Sequence, residues 1–283
     1  MQEVATGYGL IEGPTWDPAR GLIFSDVING GAFCLAPDGS IHPVIEHRRG
    51  MGGIALHADG GLIVSGRNIS YKPPGGGDTV VLLQPDEARG EMGFNDLSTD
   101  MDGRIFCGSV AFRPVGSDDE PKPGSLYSID LDGSARHLHF PVELTNGIGI
   151  SPDGSTLYHS DSSTCAVWAQ DLDGQGGIAH RQVFADLGDG RPDGLAVGAD
   201  GSVFIADAAK GRVAVFAADG AEKSSIPVPL PMVTSVCFGG EGLSDLYIVT
   251  GSRGTGRDDA GTIFRTDAGV AGSPVPLARV THA

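Results

Sequence analysis

The feature that most constrains this chain is a repeat. "NGIGISPDGSTLYHSDS" from residue 146 lies over "DGLAVGADGSVFIADA" from 193, "NDLSTDMDGRIFCGS" from 95 and "GGIALHADGGLIVSG" from 52; in all four an Asp-Gly pair stands seven and eight residues after the first position. Two looser copies, "EGPTWDPARGLIFSD" from 12 and "TSVCFGGEGLSDLYIVTG" from 234, complete a series of six. Asp-Gly is hairpin chemistry, because glycine takes the left-handed backbone conformation that a tight turn needs. Each unit therefore reads as a short apolar strand, a turn and a return strand such as LIFS, LIVS, IFCG, LYHS, VFIA or LYIV. Further Asp-Gly turns in "LAPDGSIH", "DLDGSARH", "DLDGQGG" and "AADGAEKS" supply another strand pair per unit.

Four antiparallel strands recurring every ~40–50 residues, with no amphipathic helical pattern between them, predict an all-β fold: a six-bladed β-propeller with four-stranded antiparallel blades. A two-sheet sandwich also needs many short strands, but it would not return the same turn at the same offset. Residues 1–283 are expected to form this single propeller domain, with residues near 2 to 6 closing blade six as its outer strand.

A formal net charge of −17 makes the surface anionic, which argues against nucleic acid and anionic membranes as partners. Cys34, Cys107, Cys165 and Cys237 are widely spaced, with no CxxC pair, so free thiols are expected rather than a disulfide framework or a zinc site. The N-terminus lacks the pattern of a secretory leader, and no apolar run approaches membrane-spanning length, so the expected location is cytoplasmic.

In a propeller the innermost strands line a central channel. The first positions of the six units then form one ring at one end of it: Glu12, Gly52, Asn95, Asn146, Asp193 and Thr234. Glu12, Asn95, Asn146 and Asp193 bring carboxylate or amide oxygens. Taken singly, each is a strand-end cap; four in one repeat slot point to a shared ligand. Oxygen donors with no Cys or His among them suit one divalent metal ion. Ca²⁺ suits them best, with Mg²⁺, Mn²⁺ or Zn²⁺ as alternatives. Asp26, Asp161 and Asp207 recur after the second strand of three blades and are expected to hydrogen-bond behind the site or between blades. His159 is expected to be structural.

The stretches "EGPTWDPARGLIFSDV", "GFNDLSTDMDGRIFCGS", "GSLYSIDLDG", "LTNGIGISPDGSTLYHSDS", "RPDGLAVGADGSVFIAD" and "TSVCFGGEGLSDLYIVTGS" resemble the senescence marker protein 30 (regucalcin), gluconolactonase and luciferin-regenerating enzyme family over nearly the whole chain. The resemblance implies a metal at the channel mouth held by Glu12, Asn146 and Asp193. It makes Asn95 a substrate contact or a further metal ligand, and gives Asp193 a second role as the general base. Sugar lactonases of the family carry an Arg two residues before that Asn; this chain has Gly93 there.

The function implied is a metal-dependent lactonase, opening a small-molecule lactone by water attack on an activated carbonyl. Alternatives are a phosphotriesterase or fluorophosphatase, or a non-catalytic calcium-binding propeller. The loops around the mouth offer Arg48, Arg49, Met51, Arg67, Tyr71, Phe112 and Arg113; the expected substrate contacts are Arg113, Phe112, Met51 and Arg67 from these loops, together with Asn95. The Pro- and Gly-rich insertion at 109–125 reads as a lid. Gly93 is expected to leave space for a bulkier or less hydroxylated lactone.

Overall fold

A computed structural model of the chain describes residues 1–114 and 118–282, with the side chains of residues 139 and 140 excepted. The centre of the expected lid, 115–117, lies outside the described residues. Each repeat folds as one four-stranded antiparallel sheet whose strands neighbour one another in chain order. Blade one spans 11–45, blade two 54–83, blade three 93–142, blade four 145–186 and blade five 192–227. Blade six combines Met232–Gly239, Asp245–Gly251 and Gly261–Asp267 with the N-terminal strand Gln2–Tyr8. The N-terminal strand pairs antiparallel with the last one, Glu3 opposite Phe264 and Thr6 opposite Thr262. The ring is thus closed by hydrogen bonds between the two ends of the chain.

The Asp-Gly turns are turn chemistry, as expected. Gly60, Gly103, Gly154 and Gly201 all hold positive φ, at 91°, 94°, 73° and 81°.

Each innermost strand touches the innermost strands of the blades before and after it, so the six close a ring around the channel. The core is divided the same way, into six apolar clusters, one at each junction between adjacent blades. This explains why the second strands read as continuous apolar runs. A strand covered by a neighbouring blade on both faces has no polar side, and Gly21–Asp26 is buried at every position. Phe24, fully buried, joins Tyr247 and Ile263 between blades one and six.

The C-terminal tail runs across the turn end of the channel. Ser273 N donates to Val197 O at 2.8 Å, Ala278 N to Leu56 O at 2.8 Å, and Arg279 N and Thr281 N to Gly103 O and Leu131 O, each at 2.9 Å. All four cysteines are free. Among the described residues, no helix is long and apolar enough to cross a membrane.

Candidate active site

The oxygen-bearing ring residues reach the channel through a shared backbone device. In five blades the pairing of the first two strands slips once: between Glu12 and Thr15, Phe94 and Leu97, Thr145 and Ile148, Pro192 and Leu195, and Val233 and Ser235. Such a bulge releases residues from the ladder and re-aims their side chains. Glu12, Asn95, Asn146 and Asp193 all sit at these slips, and all four line one pocket of about 540 Å³. Thr234 does not join them: its hydroxyl is buried and donates to Ile11 O at 2.6 Å.

A second regularity fixes three of them. In blades one, four and five, the aspartate that ends the second strand accepts the backbone N–H two residues before the ring position. Asp26 takes Leu10 N at 3.4 Å, Asp161 takes Leu144 N at 3.0 Å, and Asp207 takes Arg191 N at 2.9 Å. These buried carboxylates hold the entry to the strands that carry Glu12, Asn146 and Asp193, which is the role behind the site expected of them.

The amide orientations follow from their partners. Thr145 O can only accept, so the group facing it at 2.8 Å is Asn95 Nδ2, which also donates to Asn146 Oδ1. The Asn95 oxygen therefore points to blade two, where a Cβ on Gly52 would stand 2.1 Å from it. Asn146 Nδ2 donates to Ser162 Oγ at 2.7 Å, so its amide is held on both sides, by Ser162 at the nitrogen and by Asn95 at the oxygen. His159 Nε2 bonds Thr145 Oγ1 at 2.7 Å and is buried away from the pocket.

The electrostatics of the floor are unfavourable as they stand. Burial pushes the Glu12 and Asp193 carboxyls well above the usual range; repulsion from Asp193 and then Asp96 adds to it at Glu12, and repulsion from Asp96 at Asp193. Burial pushes Asp96 itself up to about 7, against backbone hydrogen bonds from Leu97 and Ile148. Three carboxylates gathered out of water hold protons or a cation. An oxygen-only donor set of this charge fits a hard divalent cation.

Asp96 was missed in the sequence, although a signal was there. The residue after the ring position is Gly13, Gly53, Gly147 and Gly194 in four blades. Adjacent inner strands crowd that slot; a Cβ on Gly194 would stand 1.9 Å from Ser235 Oγ. A carboxylate in a slot that holds glycine in four blades and serine in the sixth stands out.

Arg67, Phe112, Arg113 and Gly93 line the same pocket. Met51 does not: it is fully buried in the core between blades one and two, so the expected substrate contact there is not made. Tyr71 lies at the opposite end of the channel, donating to Asp59 at 2.6 Å. Arg48 is held by Ser65 O and Asn68 O, both at 3.0 Å. The space expected at Gly93 is filled by backbone, since a Cβ there would meet Gly66 O at 2.6 Å. Two lining arginines, Arg191 and Arg253, were not singled out from the sequence; nothing local marks them, because the channel mouth alone brings them together.

One His/Asp grouping lies elsewhere. His57 Nδ1 and His282 Nε2 stand 2.8 and 2.9 Å from the two oxygens of Asp59, at the turn end of the channel. These are hydrogen-bond distances, and His57 Nε2 meets Val280 O at 3.1 Å. The group anchors the tail.

The model of the SMP-30/gluconolactonase/LRE-like region matches residues 10–252. Pentonolactonase XacC from Haloferax volcanii is 30% identical, over 96% of this chain and 95% of the relative. A 6-deoxy-6-sulfogluconolactonase from Pseudomonas putida is 30% identical over 94% of each. Among solved structures, a calcium-binding protein, regucalcin, from Agrobacterium tumefaciens superposes with a TM-score of 0.85, covering 98% of this chain and 97% of that one at 23% identity.

Proposed function

The chain belongs to the SMP-30/gluconolactonase/LRE-like family, and on that premise we propose that it hydrolyses a lactone at the channel mouth with one divalent cation held by Glu12, Asn146 and Asp193. The observation that carries the reading is the floor itself, where Glu12 and Asp193, pushed up by burial and repulsion, line one pocket with the Asn146 amide that Ser162 and Asn95 hold in place. Two relatives named for sugar-lactone hydrolysis, each aligned over nearly its full length, support the reaction class. Ca²⁺ is the proposed ion; the calcium-binding relative supports it, with Mg²⁺, Mn²⁺ or Zn²⁺ as the alternatives.

The cation, when bound, supplies polarisation of the lactone carbonyl and stabilises charge on its oxygen in the tetrahedral transition state. The chain's own residues do the rest. Asp193 takes a proton from the attacking water through a carboxylate oxygen. As the ring C–O bond breaks, that proton passes to the departing ring oxygen, and the product is the open hydroxy acid. Asn146 is held in place by Ser162 on one side and Asn95 on the other. Asn95 acts as a positioning residue for Asn146 as much as a contact to substrate. Phe112, Arg67 and Arg113 border the lactone at the rim.

The test is hydrolysis of a panel of sugar lactones before and after chelation, with each divalent ion added back in turn. Activity should vanish on chelation and return with calcium. Full activity in the stripped protein, or faster cleavage of an aryl phosphotriester than of any lactone, overturns the reading.

A further inference from the structure

We propose that the channel mouth recognises an anion, so that the lactone it takes carries a phosphate, sulfonate or carboxylate group away from the ester carbonyl. For the ester chemistry this rests on the lactonase reading; for the anion it rests on the rim. Arg67, Arg113, Arg191 and Arg253 all line the pocket, and its only acidic side chains among the described residues are Glu12 and Asp193. A divalent ion on the floor would balance those two carboxylates and leave Arg67, Arg191 and Arg253 without counter-charge from the pocket's described residues.

Such a local excess of positive charge stands out in a chain with 36 acidic residues against 19 Lys and Arg. Several cations elsewhere find carboxylates: Arg104 meets Asp100, Asp102 and Asp130, Arg212 meets Asp207 and Glu222, and Arg265 meets Asp245; others, such as Arg279 and Lys122, are scattered singly, whereas the mouth gathers its arginines in one pocket. Arg67, Arg191 and Arg253 form no ion pair among the described residues.

The three also rise from pinned backbone. Gly66, beside Arg67, exchanges hydrogen bonds with Phe94, at 3.1 Å from its N–H and 2.7 Å to its carbonyl. Arg191 N is held by Asp207. Ser252, before Arg253, donates from its N–H to Gly9 O at 2.9 Å and from its hydroxyl to Tyr8 O at 3.0 Å. Among the described residues, no lysine lines the pocket. The guanidinium fork matches the paired oxygens of phosphate, sulfonate or carboxylate, which an ammonium does not. A cationic mouth on an anionic protein also draws such a ligand in and repels the surface from it elsewhere.

The loop that excludes a side chain at Gly93 is the loop that delivers Arg67, whose Cα lies 3.5 Å from a Cβ placed on Gly93.

The experiment compares glucono-δ-lactone with its 6-phosphate on calcium-loaded protein, at low and high salt. Wild type should favour the phosphate in kcat/KM by about tenfold or more, through KM, with the preference shrinking as salt rises. Arg191→Ala and Arg253→Ala should each lower kcat/KM for the phosphate about tenfold while changing the neutral lactone less than about threefold. Equal or better turnover of the neutral lactone by wild type overturns the anion site and leaves the lactonase reading intact. A parallel titration with gluconate and 6-phosphogluconate decides the case in which no lactone is cleaved. An arginine-dependent preference for the phosphorylated acid then keeps the anion site and removes the lactonase; equal binding removes the anion site.

Discussion

Asn146 Nδ2 donates to Ser162 Oγ at 2.7 Å, and the same hydroxyl donates onward to Pro192 O at 2.5 Å. One serine thus ties the amide of blade four to the strand of blade five that carries Asp193. Replacing Ser162 by Ala leaves the amide N–H and the Pro192 carbonyl without that partner. We expect about 1–2 kcal/mol of lost stability and about tenfold to a hundredfold weaker calcium binding. Calorimetric titration checks the second figure; unchanged affinity would show that Asn146 orientation is set elsewhere.

Asp193→Asn keeps side-chain volume and removes both the negative charge and the base. Since burial and Asp96 repulsion push this carboxyl up, the neutral variant should fold at least as stably as wild type in the absence of metal. Its kcat should fall by about a hundredfold or more. Near-normal turnover excludes Asp193 as the base.

Asp96→Asn should move two measurements in opposite directions. Loss of a buried like charge beside Glu12 and Asp193 raises the melting temperature of the metal-free protein. The same loss weakens the attraction for a cation, so calcium affinity falls about tenfold. Thermal melts with and without calcium read both. A variant that loses stability in the metal-free form contradicts the account of the floor.

At the other end of the channel the tail should loosen in acid. Burial pushes the Asp59 carboxyl up, but hydrogen bonds from Tyr71, Gly61, His57 and His282 outweigh it and hold it well below the usual range. A depressed folded value adds stability above the unfolded value near ~4 and loses it as pH falls toward the folded one. Amide exchange at Ala278 and Thr281 should therefore lose protection below about pH 4, beyond the intrinsic effect of pH on exchange, and in Asp59→Asn already at neutral pH. Equal protection in wild type and variant at neutral pH would count against this anchor.

The repeat is local information, and it carried far. Asp-Gly at a fixed offset requires a hairpin wherever it occurs, and six hairpins with paired return strands leave few closed arrangements. The blade count, the closing N-terminal strand and the placement of Glu12, Asn95, Asn146 and Asp193 around one channel mouth follow from that spacing. The aspartates at 26, 161 and 207 were legible for the same reason, since a residue repeated at one slot does one job.

Tertiary structure decided what the spacing left open. Met51 and Arg67 both flank blade two's innermost strands in loops of similar composition, yet one points into the core and the other into the mouth. Side-chain direction there is set by contacts with blades one and three, which no local pattern encodes. Asp96 acquires its electrostatic role from Glu12 and Asp193, which are brought beside it by ring closure. Gly93 reads as empty space until the Gly66 carbonyl is found in it. The sequence determined which residues lie at the channel end of each strand, because that depends on turns a few residues away. Only the closed ring decided which of them meet, because charge repulsion, burial and exclusion act between atoms close in space whatever their separation along the chain.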